Sequence, residues 1–194
     1  MSSEVQICNL ALTKIGEEQI LSLTENNKRG RICNLHYEPT RDAVLRSHIW
    51  NFAVKREELA LSVDTPSFDF TYQFALPNDY LRALNTNLDA SYDWKIENGF
   101  VLCKSDSVKL RYIAKITDTN LFDSMFIEAL SSRLAAEFAI SLTDSLSLQA
   151  QMFSLYNGKI AEARSMDSME GTSDSIQDEG WLDARLSYVS PYNA

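Results

Sequence analysis

RICNLHYEPTRDAVLRSHIWNFA, residues 31–53, carries Cys33, Tyr37, Arg41, Leu45 and Ile49 at every fourth position and then closes on Trp50, Phe52 and Ala53. A four-residue repeat stacks a single stripe along an α-helix. The aromatic pair past its end is of the kind that anchors a helix in a core. Pro39 falls inside the stripe; without a backbone N–H it predicts a kink, or two abutting helices, and not one straight rod. Either arrangement turns Tyr37 and Leu45 inward. The stripe describes a scaffold and contains no catalytic pattern.

Upstream, Ile7, Leu10, Ala11 and Ile15 predict the buried face of a first helix over 4–15, stopped by Gly16. Downstream of Phe52 the period falls to two. Val108 to Ile116 alternates apolar with partly charged positions and predicts a strand with one wet face. Asn98-Gly99, between YDWKIE and FVLCK, is the pair favoured in a type I′ hairpin turn. With FDFTYQFAL and the Tyr80–Leu84 run, these segments predict an antiparallel meander of about four to six strands. Helix returns after Asn120, a candidate N-cap, where Phe122, Phe126, Leu130, Leu134, Phe138 and Leu142 repeat at intervals of four. A break at Thr143-Asp144 leads to a second helix bearing Met152, Phe153, Tyr156 and Ile160, which predicts an antiparallel helical hairpin packed on the N-terminal helices.

The fold class expected is therefore α+β: an antiparallel helical bundle built from N- and C-terminal helices, with an inserted antiparallel β-meander and an extended C-terminal arm. The divisions fall at 1–51 for the N-terminal helices, 52–117 for the β insertion, 118–165 for the helical hairpin and 166–194 for the arm. The arm is Ser- and Asp-rich, with apolar islands at Trp181, Leu182, Leu186, Tyr188 and Tyr192 that no helical or strand stripe accounts for. Such composition orders on a partner more readily than alone.

At 194 residues and 45% apolar content the chain can bury a sizeable core. No run approaches a membrane span, and MSSEVQICNLAL lacks a basic leader with a signal-like core, so a cytosolic site of synthesis is expected. Cys8, Cys33 and Cys103 lie far apart without C-x-x-C spacing, which favours buried free thiols over disulfides or zinc. The net charge of −9 is uneven: residues 117–194 carry four Lys/Arg against twelve Asp/Glu. That balance disfavours tight, broad nucleic-acid binding.

The six glycines never cluster into a phosphate loop. His36 and His48, the only histidines, stand in no metal-ligand spacing. No G-x-S-x-G elbow occurs. Glu17-Glu18 is the visible carboxylate pair, although adjacent helical residues diverge by about 100° and read better as a solvated face or cap than as a glycosidase pair. Lys28, Arg29 and Arg31 form a basic knot, able to touch DNA or an acidic partner or to pair with neighbouring carboxylates. Cofactors and metals are expected to be absent.

The stretch 31–60, with Cys33, Tyr37, Arg41, Asp42, Leu45, Trp50, Phe52 and Ala53, resembles the N-terminal signature of the tail tubular protein A family of short-tailed bacteriophages. FTYQFALPNDYLRAL resembles that family's second landmark, carried here by Tyr72, Phe74, Leu76, Pro77, Asp79 and Arg82. The late helical hairpin after Tyr112-Ile113 is a third similarity, and together they span roughly residues 4–165. The resemblance implies a head-to-tail adaptor in the virion neck. A ring, typically of twelve copies, sits beneath the portal protein and above the tail nozzle, with genomic DNA passing non-specifically through its lumen. An acidic lumen would let DNA slide without adhering. On this reading the protein is no enzyme and is assembled in the host cytoplasm. The bundle sets ring contacts, with Tyr37, Arg41, Leu45, Trp50, Phe52 and Pro77 as structural anchors, and the arm residues named above reach the portal. Two other expectations stand beside it: another neck or tail-completion protein, and a virion-carried cell-wall glycosidase.

Overall fold

A computed structural model describes residues 3–88 and 93–170. The elements in order are α1 (Glu4–Lys14), α2 (Lys28–Arg46), β1 (Val54–Glu58), β2 (Tyr72–Ala75), β3 (Tyr80–Thr86), β4 (Lys95–Glu97), β5 (Phe100–Cys103), β6 (Lys109–Ala114), α3 (Ser124–Thr143) and α4 (Leu146–Met169). The chain is α+β, with two small antiparallel three-stranded sheets inserted between N- and C-terminal helices. No helix is long and apolar enough among the described residues to cross a membrane.

Each helix starts on a side chain that takes an orphan backbone donor. Ser3, Asn27, Asp123 and Ser145 accept from Gln6, Gly30, Met125 and Leu148 respectively. Asn120, the expected cap, lies instead in a 3-10 turn, Thr119–Leu121, and Asp123 starts α3 three residues later. The end of α1 is a Schellman turn: Gly16 takes φ +79°, its N–H reaches Thr13 O at 3.2 Å, and Glu17 N–H reaches Leu12 O at 3.0 Å. The inward face of α1 is Ile7, Cys8, Ala11 and Leu12; Leu10 is exposed, contrary to expectation.

Helix α2 is one continuous helix through Pro39, neither split nor replaced by two abutting helices. Proline deprives the Leu35 carbonyl of its helical donor. Pro39 and Leu35 both lie on the exposed side, where water can serve that carbonyl. Cys33, Tyr37, Arg41 and Leu45 are all buried as the stripe predicts, whereas Ile49 lies beyond the helix end and is largely exposed.

Helix α3 is the centre of the bundle. Phe126, Leu130, Leu134 and Phe138 are buried on one side, and Ala129, Ser131, Ser132, Ala135, Ala136 and Ala139 on the others. A helix buried nearly all round needs small residues wherever neighbours approach closely. It packs on α1, α2 and α4. Asp144, at φ 54°, ends α3, and α4 starts two residues later. Arg133 of α3 lies over the rings of Phe153 and Tyr156 of α4, 4.8 and 5.5 Å from their centroids, and pairs with Glu137 at 2.8 Å. Helix α4 runs to Met169, so residues 166–169, expected in the arm, are its last turn.

The insertion has six strands among the described residues but is not a meander. One sheet has the order β1-β6-β3 and the other β2-β5-β4. Only β4 and β5 pair as chain neighbours, through Asn98 at φ 47° and Gly99 at φ 81°, the two positive values a type I′ turn requires. The insertion leaves and rejoins the helical body at one place, so its first and last strands pair, Lys55 opposite Tyr112. On β6 the apolar face holds Leu110, Tyr112 and Ala114; Ile113 is buried as well, so the other face is wet only toward Lys109.

Candidate functional site

Two polar knots fix how the helical body, the insertion and the root of the arm meet. The first gathers at Asp79, in the turn between β2 and β3. Its carboxylate accepts from Lys55 Nζ at 2.5 Å and from the Tyr112 hydroxyl at 2.9 Å; the same hydroxyl lies 3.1 Å from Glu57 Oε2. Asp79 O accepts the Lys115 backbone N–H at 2.6 Å. Burial pushes the Asp79 carboxyl up, but the bonds from Lys55 and Tyr112 outweigh it and hold the group below the usual carboxylate range. Burial, with the two carboxylate contacts, pushes the Tyr112 phenol well above its ordinary value.

Lys115 carries this knot to the helices, its ammonium lying 3.4 Å from Asp42 Oδ2 on α2. Asp42 also accepts from Arg41 Nε at 2.9 Å. Arg41 is fully buried, with Nη1 3.9 Å from Glu4 Oε1 on α1 and the guanidinium 5.7 Å from the Tyr37 ring centroid. Neither terminal nitrogen of Arg41, nor the Tyr37 hydroxyl, has a hydrogen-bond partner among the described residues. Burial raises the Tyr37 phenol as well. Arg46, one turn on, donates to the Leu81 carbonyl of β3. These contacts therefore run from α1 through α2 to one end of the first sheet, where they reach both of its edge strands, β1 and β3.

The second knot clasps the last turn of α4 to the corner after α2. Asp167 accepts the Asn51 backbone N–H at 3.0 Å through its carboxylate, and the Asn51 side-chain amide at 2.7 Å through its carbonyl. Arg164 reaches the Ser47 hydroxyl at 3.1 Å and the Ser47 carbonyl at 3.3 Å. His48 Nε2 lies 3.4 Å from Asp167 Oδ2, with its ring edge-on to Trp50 at 4.8 Å. Burial lowers the His48 pKa, with Arg164 and Arg82 acting the same way and Asp167 opposing.

The expected anchors fall at these junctions. Trp50 is 1% exposed, donates to the Val44 carbonyl at 3.1 Å and packs edge-on to Phe126 at 5.1 Å. Phe52 is half-buried against Phe122 and Phe126, and Pro77 is half-buried at the turn it opens, accepting from Tyr80 N at 3.0 Å. The basic knot divides: Arg29 binds Glu17 at 3.2 Å and Glu18 at 2.6 Å, Arg31 donates to Asn26 at 2.9 Å, and Lys28 is exposed. Glu17 and Glu18 thus meet on one guanidinium. His36 packs edge-on to Phe138 at 6.1 Å, and all three cysteines are buried and free. Trp181, Leu182, Leu186, Tyr188 and Tyr192 lie outside the described residues. Asp167, Lys115 and Asn51 were not legible as site residues; nothing in their sequence neighbourhood marks them.

One arrangement has a chemical precedent. Lys14 Nζ contacts Ser131 Oγ at 2.6 Å and Ser132 Oγ at 2.9 Å, and burial lowers the Lys14 pKa despite the opposing Glu128. An amine activates a serine by accepting its proton. Here both hydroxyls donate to the Glu128 carbonyl, and both serines are fully buried, so this contact is a helix tie between α1 and α3.

The surface offers other features. A recess of about 490 Å³ over the first sheet is lined by Arg56, Lys109 and Arg111 with Glu57 and Glu58, and one of about 520 Å³ beside the second sheet is walled by Phe68, Phe70 and Phe100. The loop before β2 holds Val63 at 100% and Phe68 at 78% exposure. On α4 only Ile160 and Ala163 are buried, and Leu155, Met166 and Met169 lie along its outer side. No group of three or more His, Cys, Asp or Glu able to hold a metal occurs among the described residues. No known protein-family model matches the chain, and no curated protein sequence matches it.

Proposed function

We propose that this chain is a structural virion protein, a head-to-tail adaptor whose copies form a ring between the portal and the tail nozzle and enclose part of the DNA ejection channel. The observation that carries the reading is the first polar knot. The two stretches bearing the resemblance, 31–60 and 70–84, are joined in space by Asp42, Lys115, Asp79 and Lys55, which make the helical body and the insertion one mechanical piece. A ring subunit needs that rigidity, because it presents different surfaces to two neighbours and to two axial partners. The exposed apolar side of α4 and the Val63–Phe68 loop supply unlike surfaces of the kind a head-to-tail contact joins.

The clasp at Asp167 gives the arm a fixed root, from which residues 171–194 reach the portal. The acidic balance suits a channel through which DNA slides.

The test is the native mass of the purified chain with and without the portal protein encoded in the same genome. A ring-sized species on adding portal is the expected result. A monomer indifferent to portal overturns the adaptor reading. Truncation after Glu170, which leaves the clasp intact, should abolish portal docking while preserving the helical signal; unchanged docking would remove the arm from the interface.

A further inference from the structure

The outer face of α2 near its N-terminus matches a segment of the same chain in apolar and charged character. Lys28, Arg31 and Leu35 are spaced to share a helix face, and all three are exposed, Leu35 at 67%. Leu21, at 94% exposure, stands in the preceding loop, which Glu25 ties to the start of α2 by accepting from the Ser22 backbone and from the Asn27 amide. Arg29 is neutralised by Glu17 and Glu18, and the Glu25 carboxylate is occupied by those loop donors. Neither Lys28 nor Arg31 pairs with a carboxylate among the described residues. The result is two unneutralised cations flanked by bare leucines on a protein of net charge −9.

Residues 170–183 carry Glu170, Asp174, Asp178, Glu179 and Asp183 and no Lys or Arg, with Trp181 and Leu182 among them. Their root is fixed: Asp167 is clasped to Asn51 and Arg164 to Ser47, just past the C-terminal end of α2. From Ser47 back to Lys28 is about 28 Å along the helix at 1.5 Å per residue. The eleven residues from Glu170 to Trp181 can span at most about 36 Å, and the eight to Asp178 about 26 Å. The same chain therefore reaches the patch without a second copy.

We propose that in the free chain the Lys28, Arg31 and Leu35 face of α2 is the docking site of the chain's own C-terminal segment, residues 178–186. The Asp178 and Glu179 carboxylates lie against Lys28 and Arg31, and Trp181 and Leu182 cover Leu35 and Leu21. The contact is held by exposed ion pairs and a small apolar patch, so it is weak and salt-sensitive, and a partner with a better site for the same aromatic residues displaces it. The proposal does not rest on the adaptor reading and is tested on the chain alone.

Arg185 is the only Lys or Arg after Arg164, so trypsin cleavage there, followed by mass spectrometry, reports whether the segment is covered. The full chain at low salt is expected to be cut at Arg185 several-fold more slowly than a free peptide of residues 171–194. K28E/R31E should bring the chain to the peptide's rate. D178N/E179Q, which leaves the folded body untouched, should do the same while leaving the corresponding peptide's rate unchanged. Equal rates in chain and peptide overturn the proposal. Protection that grows with chain concentration also overturns it, by assigning the patch to the segment of a second copy.

Discussion

Replacing Trp50 separates packing from hydrogen bonding at the joint between the helical body and the insertion. The indole is 1% exposed and edge-on to both His48 and Phe126, at 4.8 and 5.1 Å between centroids. Trp50→Ala removes the ring and leaves a cavity that the surrounding aromatics can only partly close, a change that costs about 3 to 5 kcal/mol. Trp50→Phe keeps much of the ring volume and its edge-to-face contacts but deletes the Nε1–H. The Val44 carbonyl is not orphaned by that loss, since it also accepts from the Ser47 hydroxyl at 2.7 Å and from the Ser47 backbone N–H at 3.2 Å. The Phe variant should therefore cost only about 1 to 2 kcal/mol, one net hydrogen bond plus a small void. Urea unfolding followed by far-UV ellipticity avoids a probe that changes with the tryptophan count. With a slope of about 2 kcal/mol per molar, the Ala midpoint should fall by about 1.5 to 2.5 M and the Phe midpoint by under about 1 M. A Phe variant as unstable as the Ala variant, or an Ala variant displaced by less than about 0.5 M at unchanged slope, would refute this account of the joint.

Two glycines should respond with opposite sign. Gly158 sits mid-helix in α4 with open space where a Cβ would go, so Gly158→Ala should raise stability by about 0.5 to 1 kcal/mol; Gly99→Ala, at φ +81°, should lower it by about 1 kcal/mol or more, both read from the same urea curves. His48, its folded pKa lowered mainly by burial, is neutral in the fold and takes a proton in the unfolded chain, so its contribution is lost as pH falls through about 6.5 and levels off below the folded pKa. Wild type should lose more stability between pH 7.5 and 5.5 than His48→Gln, and identical pH profiles would remove His48 from the linkage. Asp167→Ala should speed amide hydrogen exchange over 160–169 while leaving the α3 amides slow; uniform protection would mean that the clasp does not hold the end of α4.

The sequence spoke clearly wherever structure was local. The first four positions of the α2 stripe, the Asp144 break and the Asn98-Gly99 turn each rest on residues within a few positions of one another, and each appears as read, whereas Ile49, the fifth position of the stripe, falls past the helix end. Errors began where two residues of like chemistry competed. Asn120 and Asp123 can both cap a helix, and the second does because Asn120 is taken into a turn closed by Asp118. Leu10 and Leu12 can both face a core, and the bundle chose Leu12. The order of the strands was beyond reach, because β1 pairs with β6 across some fifty residues and alternation fixes which face is wet without naming the neighbour. The clasp was equally hidden: Asp167 and Asn51 are 116 residues apart, and neither differs in type from a solvated surface residue.

Helix α4 shows how a long helix is held on a bundle by supports spread along its length. Of its 24 residues only Ile160 and Ala163 are fully buried, while Leu148, Met152 and Tyr156 are partly buried against the core along the face that packs on α3. Its hold is distributed: the Ser145 cap at one end, Arg133 stacked on Phe153 and Tyr156 along the middle, and the Asp167 clasp at the other. Supports of this kind fix direction while leaving the outer side, with Leu155, Met166 and Met169, free of intrachain duty. In the proposed ring that side is available to a neighbour without any cost to the subunit's own core. A carboxylate at position 166, where the methionine is half exposed, should then leave the monomer's urea midpoint nearly unchanged while weakening ring formation; a midpoint that falls as far as assembly does would return this side of α4 to the subunit's own fold.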